Sequence, residues 1–154
     1  MSAMSPQLEL AMESSCATGV EEVIEARRPE DLATLRALLA DEDAPASARQ
    51  NAIHILGRWG DAESAPAIRA LLPNLDERQR INAVDALGRL GGPDAEDVVL
   101  ELTGDQSPDV RRFAAYALSR LGTETARIQL GEMAGNDPEP SVRAAAVSSL
   151  DREQ

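Results

Sequence analysis

Apolar residues recur along this chain at steps of three and four. In one stretch Ile81, Val84, Leu87 and Leu90 follow that spacing, and after a short break Ala95, Val98, Val99 and Leu102 resume it. Charged residues fill the gaps, so each stretch is predicted to be an amphipathic helix with one apolar face. Gly91 closes the first stretch, where a left-handed helix terminus is cheap only for glycine. Pro93 and Asp94 suit the first turn of the second. The preceding copy repeats the second-helix pattern with Ile68 and Leu71, the following one with Leu130 and Met133 after Thr123-Glu124.

The match extends to the wording. Residues 52–60 read AIHILGRWG, residues 83–92 AVDALGRLGG and residues 114–122 AAYALSRLG. Arg49, Arg80 and Arg111 are 31 residues apart, and Arg143 follows after 32. Leu56, Leu87, Leu118 and Leu150 keep the same step, as do Ala52, Ala83, Ala114 and Ala146. A fixed period of this length marks a solenoid of stacked helical units, none of which can bury its apolar stripe alone. The predicted class is all-α, an α-solenoid of about four helix-turn-helix units. They span about 16–43, 44–73, 74–104 and 105–135, with a terminal capping helix at 136–152. In the degenerate first unit Val20, Val23 and Ile24 are predicted to face inward, Pro29 to open a helix carrying Leu35, Leu38 and Leu39, and Thr18 with Glu21 to form a capping box. Residues 1–15, with Leu8 and Met12 after Ser5-Pro6, read as an arm or a short docking helix.

The segments DQSPDVRRFAAYALSRLG at 105–122 and DPEPSVRAAAVSSL at 137–150 carry a family resemblance. They resemble the HEAT-repeat family, in particular the short HEAT-like repeats of the phycobilin-lyase type, over about 16–152. The resemblance implies a right-handed solenoid whose second helices line a concave face. It also implies a structural ladder linking each inter-repeat turn to the next helix. The candidate pairs are Asp43–Arg49, Asp105–Arg111 and Asp137–Arg143, while Asn74 stands where the acid before Arg80 would be and weakens that link. The signatures of ankyrin and tetratricopeptide repeats are missing.

Composition sharpens this. Hydrophobic residues make up 43% of the chain but aromatics only 2%, so the core is aliphatic and suits closely packed helices better than a β-sandwich. Net charge is −12, and all fifteen basic residues are arginine. Such a surface repels phosphate backbones and acidic membranes, which argues against nucleic-acid binding and membrane insertion. Cys16 is the single cysteine and aligns with Ala48 one repeat later, a place for a small buried residue; no internal disulfide can form. A thiol-poor chain with no secretory leader pattern and no apolar run of membrane-spanning length reads as cytoplasmic.

Candidate chemistry is sparse. His54 is the only histidine, so no histidine metal set can form. Iron-binding hydroxylases of HEAT fold use paired His-Glu motifs, which are lacking here, and HEAT-like DNA glycosylases need a basic, aromatic face. His54, Asp85 and Tyr116 occupy equivalent positions in consecutive repeats, but stacked helices lie ~8–10 Å apart and a catalytic triad needs contacts near ~3 Å. Trp59 replaces Leu90 and Leu121 and reads as core. Arg58, Arg89 and Arg120 sit at helix C-termini, where they favour the dipole and could pair with Asp61, Asp94 or Glu124. No catalytic residue, metal or cofactor is expected.

The candidate partner surface is the solvent side of the second helices: Glu63, Pro66 and Arg69; Asp97, Leu100 and Glu101; Ile128 and Glu132. Leu100 and Ile128 are apolar where a plain solvent face would be polar. Three helices of about twelve residues, at ~1.5 Å rise and ~10 Å separation, offer about 540 Å², enough for a peptide, a helix or a small domain. The sequence reading is a non-catalytic protein-protein interaction module with a basic or amphipathic partner. Self-association through the ends remains open, and the alternative is a phycobilin-lyase-like accessory subunit acting on a chromophore-bearing protein.

Overall fold

The repeated phrase forms the first helix of each unit, and the stretch after its glycine forms the second. The computed structural model describes residues 5–13 and 17–152. Its α-helices are α1 (Pro6–Glu13), α2 (Ala17–Ala26), α3 (Pro29–Ala40), α4 (Ala46–Trp59), α5 (Ala65–Leu71), α6 (Glu77–Leu90), α7 (Pro93–Leu102), α8 (Pro108–Leu121), α9 (Glu124–Asn136) and α10 (Pro140–Asp151), and no strand occurs among the described residues. Helices α4, α6, α8 and α10 stack side by side, and α3, α5, α7 and α9 form the second layer. The result is an all-α solenoid. Cys16 and the Thr18 side chain, for which a buried site and a capping box were expected, lie outside the described residues.

The helices start and stop where the local chemistry directs. Asp76 and Gln79 form a reciprocal capping box on α6, with N···O distances of 2.8 and 3.0 Å. The Ser107 and Thr123 hydroxyls accept from the third residue of α8 and α9, which satisfies N–H groups the helix itself cannot. Helices α4 and α8 end on Gly60 and Gly122 at φ 70° and 64°. The turn after α2 places Arg27 at φ 40° instead, where its guanidinium donates to the Trp59 carbonyl at 2.8 Å. Helix α5 is shorter than expected, at seven residues between 3₁₀ turns at 62–64 and 72–74. Pro73 lacks the N–H that a continuing helix would require.

The core runs the length of the stack. Ala52, Leu56, Ala83, Val84, Leu87, Ala114, Leu118 and Ala146 are fully buried on the first helices, and Ile68, Val99 and Leu130 on the second. Trp59 is buried as expected, and its Nε1 donates to the Ile24 carbonyl at 3.1 Å. At the N-terminal end α1 docks on α2 and α4. Leu8, Ala11 and Met12 are buried there, and the Asn51 amide donates to the Ala11 carbonyl at 2.8 Å. Ser5 donates to the buried Asp31 carboxylate at 3.0 Å.

Two glycines inside helices set how closely the first layer packs. A Cβ on Gly57 would lie 2.8 Å from the Ala86 Cβ, and one on Gly88 2.8 Å from the Ala117 Cβ. The next step of this series is Ser119, whose hydroxyl donates to the Ser149 carbonyl on α10 at 3.1 Å. The helix backbones therefore approach more closely than larger side chains would allow. Gly88→Ala should cost about 1–3 kcal/mol by overpacking, despite alanine's better helix propensity. Chemical denaturation measures this, and a stabilised variant would show that the layer has slack.

Candidate interaction surface and the arginine ladder

The ladder arginines project from the first turn of each first helix. Arg80 reaches forward to Asp105, with Nε–Oδ2 at 2.9 Å and Nη2–Oδ1 at 3.2 Å. Arg111 repeats this on Asp137 at 2.9 and 3.1 Å. The third nitrogen turns back to the loop before its own helix: Nη1 of Arg111 donates to the Asp105 carbonyl at 2.8 Å, and Nη1 of Arg143 to the Asp137 carbonyl at 2.7 Å. The pairs Asp105–Arg111 and Asp137–Arg143 thus meet through the aspartate backbone, and each carboxylate serves the arginine of the preceding repeat. The same carboxylates also accept from the N–H two residues on, Ser107 at 2.8 Å and Glu139 at 2.9 Å. One aspartate thereby fixes its own turn and the helix before it.

The first rung differs. Arg49 donates to the carbonyls of Asp41 and Glu42 at 2.9 and 3.2 Å, not to Asp43. Asp41 accepts the Asp43 N–H at 3.0 Å and so holds the position expected for Asp43. The turn here carries two extra residues before the helix, which shifts the acid out of the six-residue spacing. Asn74, 25 residues after Arg49, stands where Asp105 and Asp137 stand relative to Arg80 and Arg111.

Electrostatics follow this geometry. Burial opposes the charged form of Asp137, but hydrogen bonds from Arg111 and the Glu139 N–H outweigh it and hold the carboxyl below its usual range. Arg111 is correspondingly raised by Asp137. A third bidentate pair joins Arg36 to Asp61, with Nε–Oδ2 at 2.9 Å, and Arg36, aided by Ser64, keeps Asp61 low despite burial. Burial also opposes the charge on Asp85, yet Arg89 and Arg120 together lower its carboxyl.

The row at the helix C-termini is wired differently from the sequence expectation. Arg89 and Arg120 both meet Asp85, at 3.0 and 3.1 Å, and Arg58 meets Glu21 at 3.5 Å. Asp61 is taken by Arg36, and Glu124 by Arg127 at 2.8 Å. Arg58 and Arg120 thus meet a side chain one layer back along the stack, and Arg89 one turn back on its own helix, rather than the loop that follows them. Asp85 is thereby clamped between cations, while Tyr116 packs edge-on to Phe113 with ring centroids 5.8 Å apart.

On the second-helix surface Glu63 pairs with Arg36 at 2.8 Å, Arg69 pairs with Glu101, and Glu132 accepts from Asn136 at 2.9 Å. Pro66 and Asp97 are exposed. Leu100 is half-buried against the core, whereas Ile128 is 62% exposed. The two apolar residues are therefore not equivalent: at the 31-residue step Leu100 aligns with Gly131, and Ile128 with the exposed Asp97. The second layer is tied by side chains: the Thr123 hydroxyl donates to Glu96, and the Gln129 amide to the Thr103 hydroxyl at 3.1 Å. Sequence reasoning missed the forward reach of the arginines and the Gly57 and Gly88 contacts. The signal for the glycines was visible as Gly-Gly-Ser at one position of the repeated phrase.

Comparison with known proteins agrees with this architecture. The sequence model of HEAT repeats matches residues 32–95 and 74–151, and the chain belongs to the HEAT-repeat family. No curated protein matches it in sequence. Among solved structures it is similar to a chain of the complex of CpcE and CpcF of phycocyanin lyase from Nostoc sp. PCC7120, at 22% identity and TM-score 0.69, covering 94% of this chain and 96% of that one. It is also similar to human deoxyhypusine hydroxylase in complex with glycerol, at 22% identity and TM-score 0.68, over 95% of this chain and 60% of that one. At this identity the likeness concerns the fold. No described helix is long and apolar enough to cross a membrane.

Proposed function

We propose that this chain is a non-catalytic interaction module that binds a basic or amphipathic peptide, helix or small domain on its second-helix layer. The observation that carries the reading is exposed Ile128 beside Glu132 on α9, next to a layer bearing Asp97, Glu101 and Glu63. An apolar anchor within an acidic rim suits a partner with one apolar stripe and flanking cations. Membership of a repeat family that displays extended surfaces is consistent with it.

The test uses a basic amphipathic helical peptide followed by fluorescence anisotropy. Ile128→Glu should weaken binding by roughly tenfold or more, the loss of a central apolar anchor, with an unchanged unfolding midpoint. Equal binding by both proteins would remove this face from consideration. Leu100→Glu is the poorer probe, since a half-buried side chain confounds binding with folding.

A second reading draws on the end-to-end overlap with the phycocyanin-lyase chain. It makes the protein an accessory subunit acting on a chromophore-bearing protein. Bilin-dependent colour on mixing with such an acceptor would favour it over the adaptor reading.

A further inference from the structure

Arg49 is the interior ladder arginine that meets no carboxylate among the described residues. Its Nη1 makes the same backward bonds to turn carbonyls as Nη1 of Arg111. In Arg80 and Arg111 the other edge of the guanidinium, Nε with Nη2, grips an aspartate 25 or 26 residues later. Counting 25 residues from Arg49 gives Asn74, whose neutral amide cannot replace that charge. The position opens instead into a cleft of about 550 Å³, lined by Arg49, Gln50, Asn74, Gln79 and the apolar Leu71 and Leu75. Beside Arg49 the Gln50 amide is buried, and neither its nitrogen nor its oxygen has a hydrogen-bond partner among the described residues. A buried polar group left unpaired calls for an explanation, as does an arginine edge whose counterparts are both filled.

We propose that this cleft binds a carboxylate-bearing ligand, gripped by Nε and Nη2 of Arg49 as Arg80 grips Asp105. A planar guanidinium matches a carboxylate through two parallel hydrogen bonds. The chain's own ladder shows that this pairing works here even though neighbouring turns are acidic. Charge sets the class further. Asp41 and Glu42 also line the cleft, and the chain carries −12, so a polyanion is repelled. The ligand that fits is a monocarboxylate on a partly apolar body, either a free small acid or the C-terminus of a peptide. Leu71 and Leu75 receive the body, and the amides of Asn74 and Gln79 receive polar atoms beside the carboxylate. The Gln79 oxygen is engaged by the Asp76 N–H, which leaves its NH₂ as a donor. The cleft uses none of the residues assigned to the second-helix face, so either proposal can fail without the other.

The experiment follows arginine Nε–H signals by NMR while hexanoate, or a short peptide ending in Leu with a free or amidated C-terminus, is titrated. Hexanoate or the free-acid peptide should shift Arg49 saturably and leave Arg80, Arg111 and Arg143 in place. Tighter binding of the free-acid peptide than of hexanoate identifies a polypeptide source, and the reverse a small acid. Asn74→Asp supplies the missing carboxylate from within. It should move the Arg49 signal toward those of Arg80 and Arg111 and weaken both probes by about tenfold, the worth of one charge-assisted pair. Arg49→Gln should abolish binding in a chain that remains folded. Absence of saturation with both acids, parallel movement of Arg143, equal binding of the amidated peptide, or undiminished affinity in Asn74→Asp would each overturn the proposal.

Discussion

Leu87→Ala will lower the unfolding free energy by about 2–5 kcal/mol. Leu87 is fully buried on α6, and α6 lies between α4 and α8 in the first layer. Its loss leaves a cavity that neighbouring backbones, held close by Gly57 and Gly88, cannot collapse to fill. In a solenoid each unit leans only on its neighbours, so a weak central unit also uncouples the two ends. Urea titration by circular dichroism reads the first effect as a lower midpoint and the second as a broader transition. A change below about 0.5 kcal/mol would put Leu87 outside the core and break the repeat register.

The second large effect concerns Asp137. Its side chain is 6% exposed and that of Arg111 12%, so Asp137→Asn removes a nearly buried charged pair and weakens the cap on Glu139 as well. The expected cost is about 1.5–3 kcal/mol at neutral pH. The carboxyl sits below its usual value in the fold, against about 3.9 in the unfolded chain. Its stabilisation is therefore complete above that unfolded value and is lost as pH falls through the lower folded one. Asp61 and Asp85 are lowered too and add in the same direction. Wild type should accordingly lose stability below about pH 4 more steeply than Asp137→Asn. A difference between the two proteins that stays constant from neutral to acid pH would assign the effect to something other than the charge. Asp43→Asn, at an exposed position, should change almost nothing and separates this ladder from one built on six-residue pairs.

The repeat, the helix pairs and the core positions were readable because stacking imposes one period on many residues at once. Leu56, Leu87 and Leu118 announce themselves by position alone. Contacts of the arginines were harder to read. Six residues separate Asp105 from Arg111, and the guanidinium does meet Asp105, but through its carbonyl. The carboxylate partner lies 25 or 26 residues away, and only the distance between stacked turns shows that. The same cause misdirected Arg58 and Arg120, whose acids Glu21 and Asp85 come from the preceding layer, whereas Arg89 turns to Asp85 four residues back on its own helix. Asp43 was misplaced because the turn before α4 is longer, a length difference that residue types alone do not reveal. On the candidate surface, helical periodicity placed Leu100 and Ile128 alike on the outer side. They occupy different positions of the repeat, those of Gly131 and Asp97, and one packs against the core while the other stays out.

The close contact of Gly57 with Ala86, and of Gly88 with Ala117, makes the two sides of the stack unequal as mechanical elements. On the first-helix side, backbone presses on backbone with almost no side chain between, so that edge resists compression and shear. On the second-helix side, neighbours are tied by long side chains such as Arg69 with Glu101 and Gln129 with Thr103, which can lengthen by changing rotamer. A load applied to such a body flexes it about the stiff edge, fanning α5, α7 and α9 apart or together while α4, α6 and α8 keep their pitch. The molecule is a leaf spring with its compliance confined to one face.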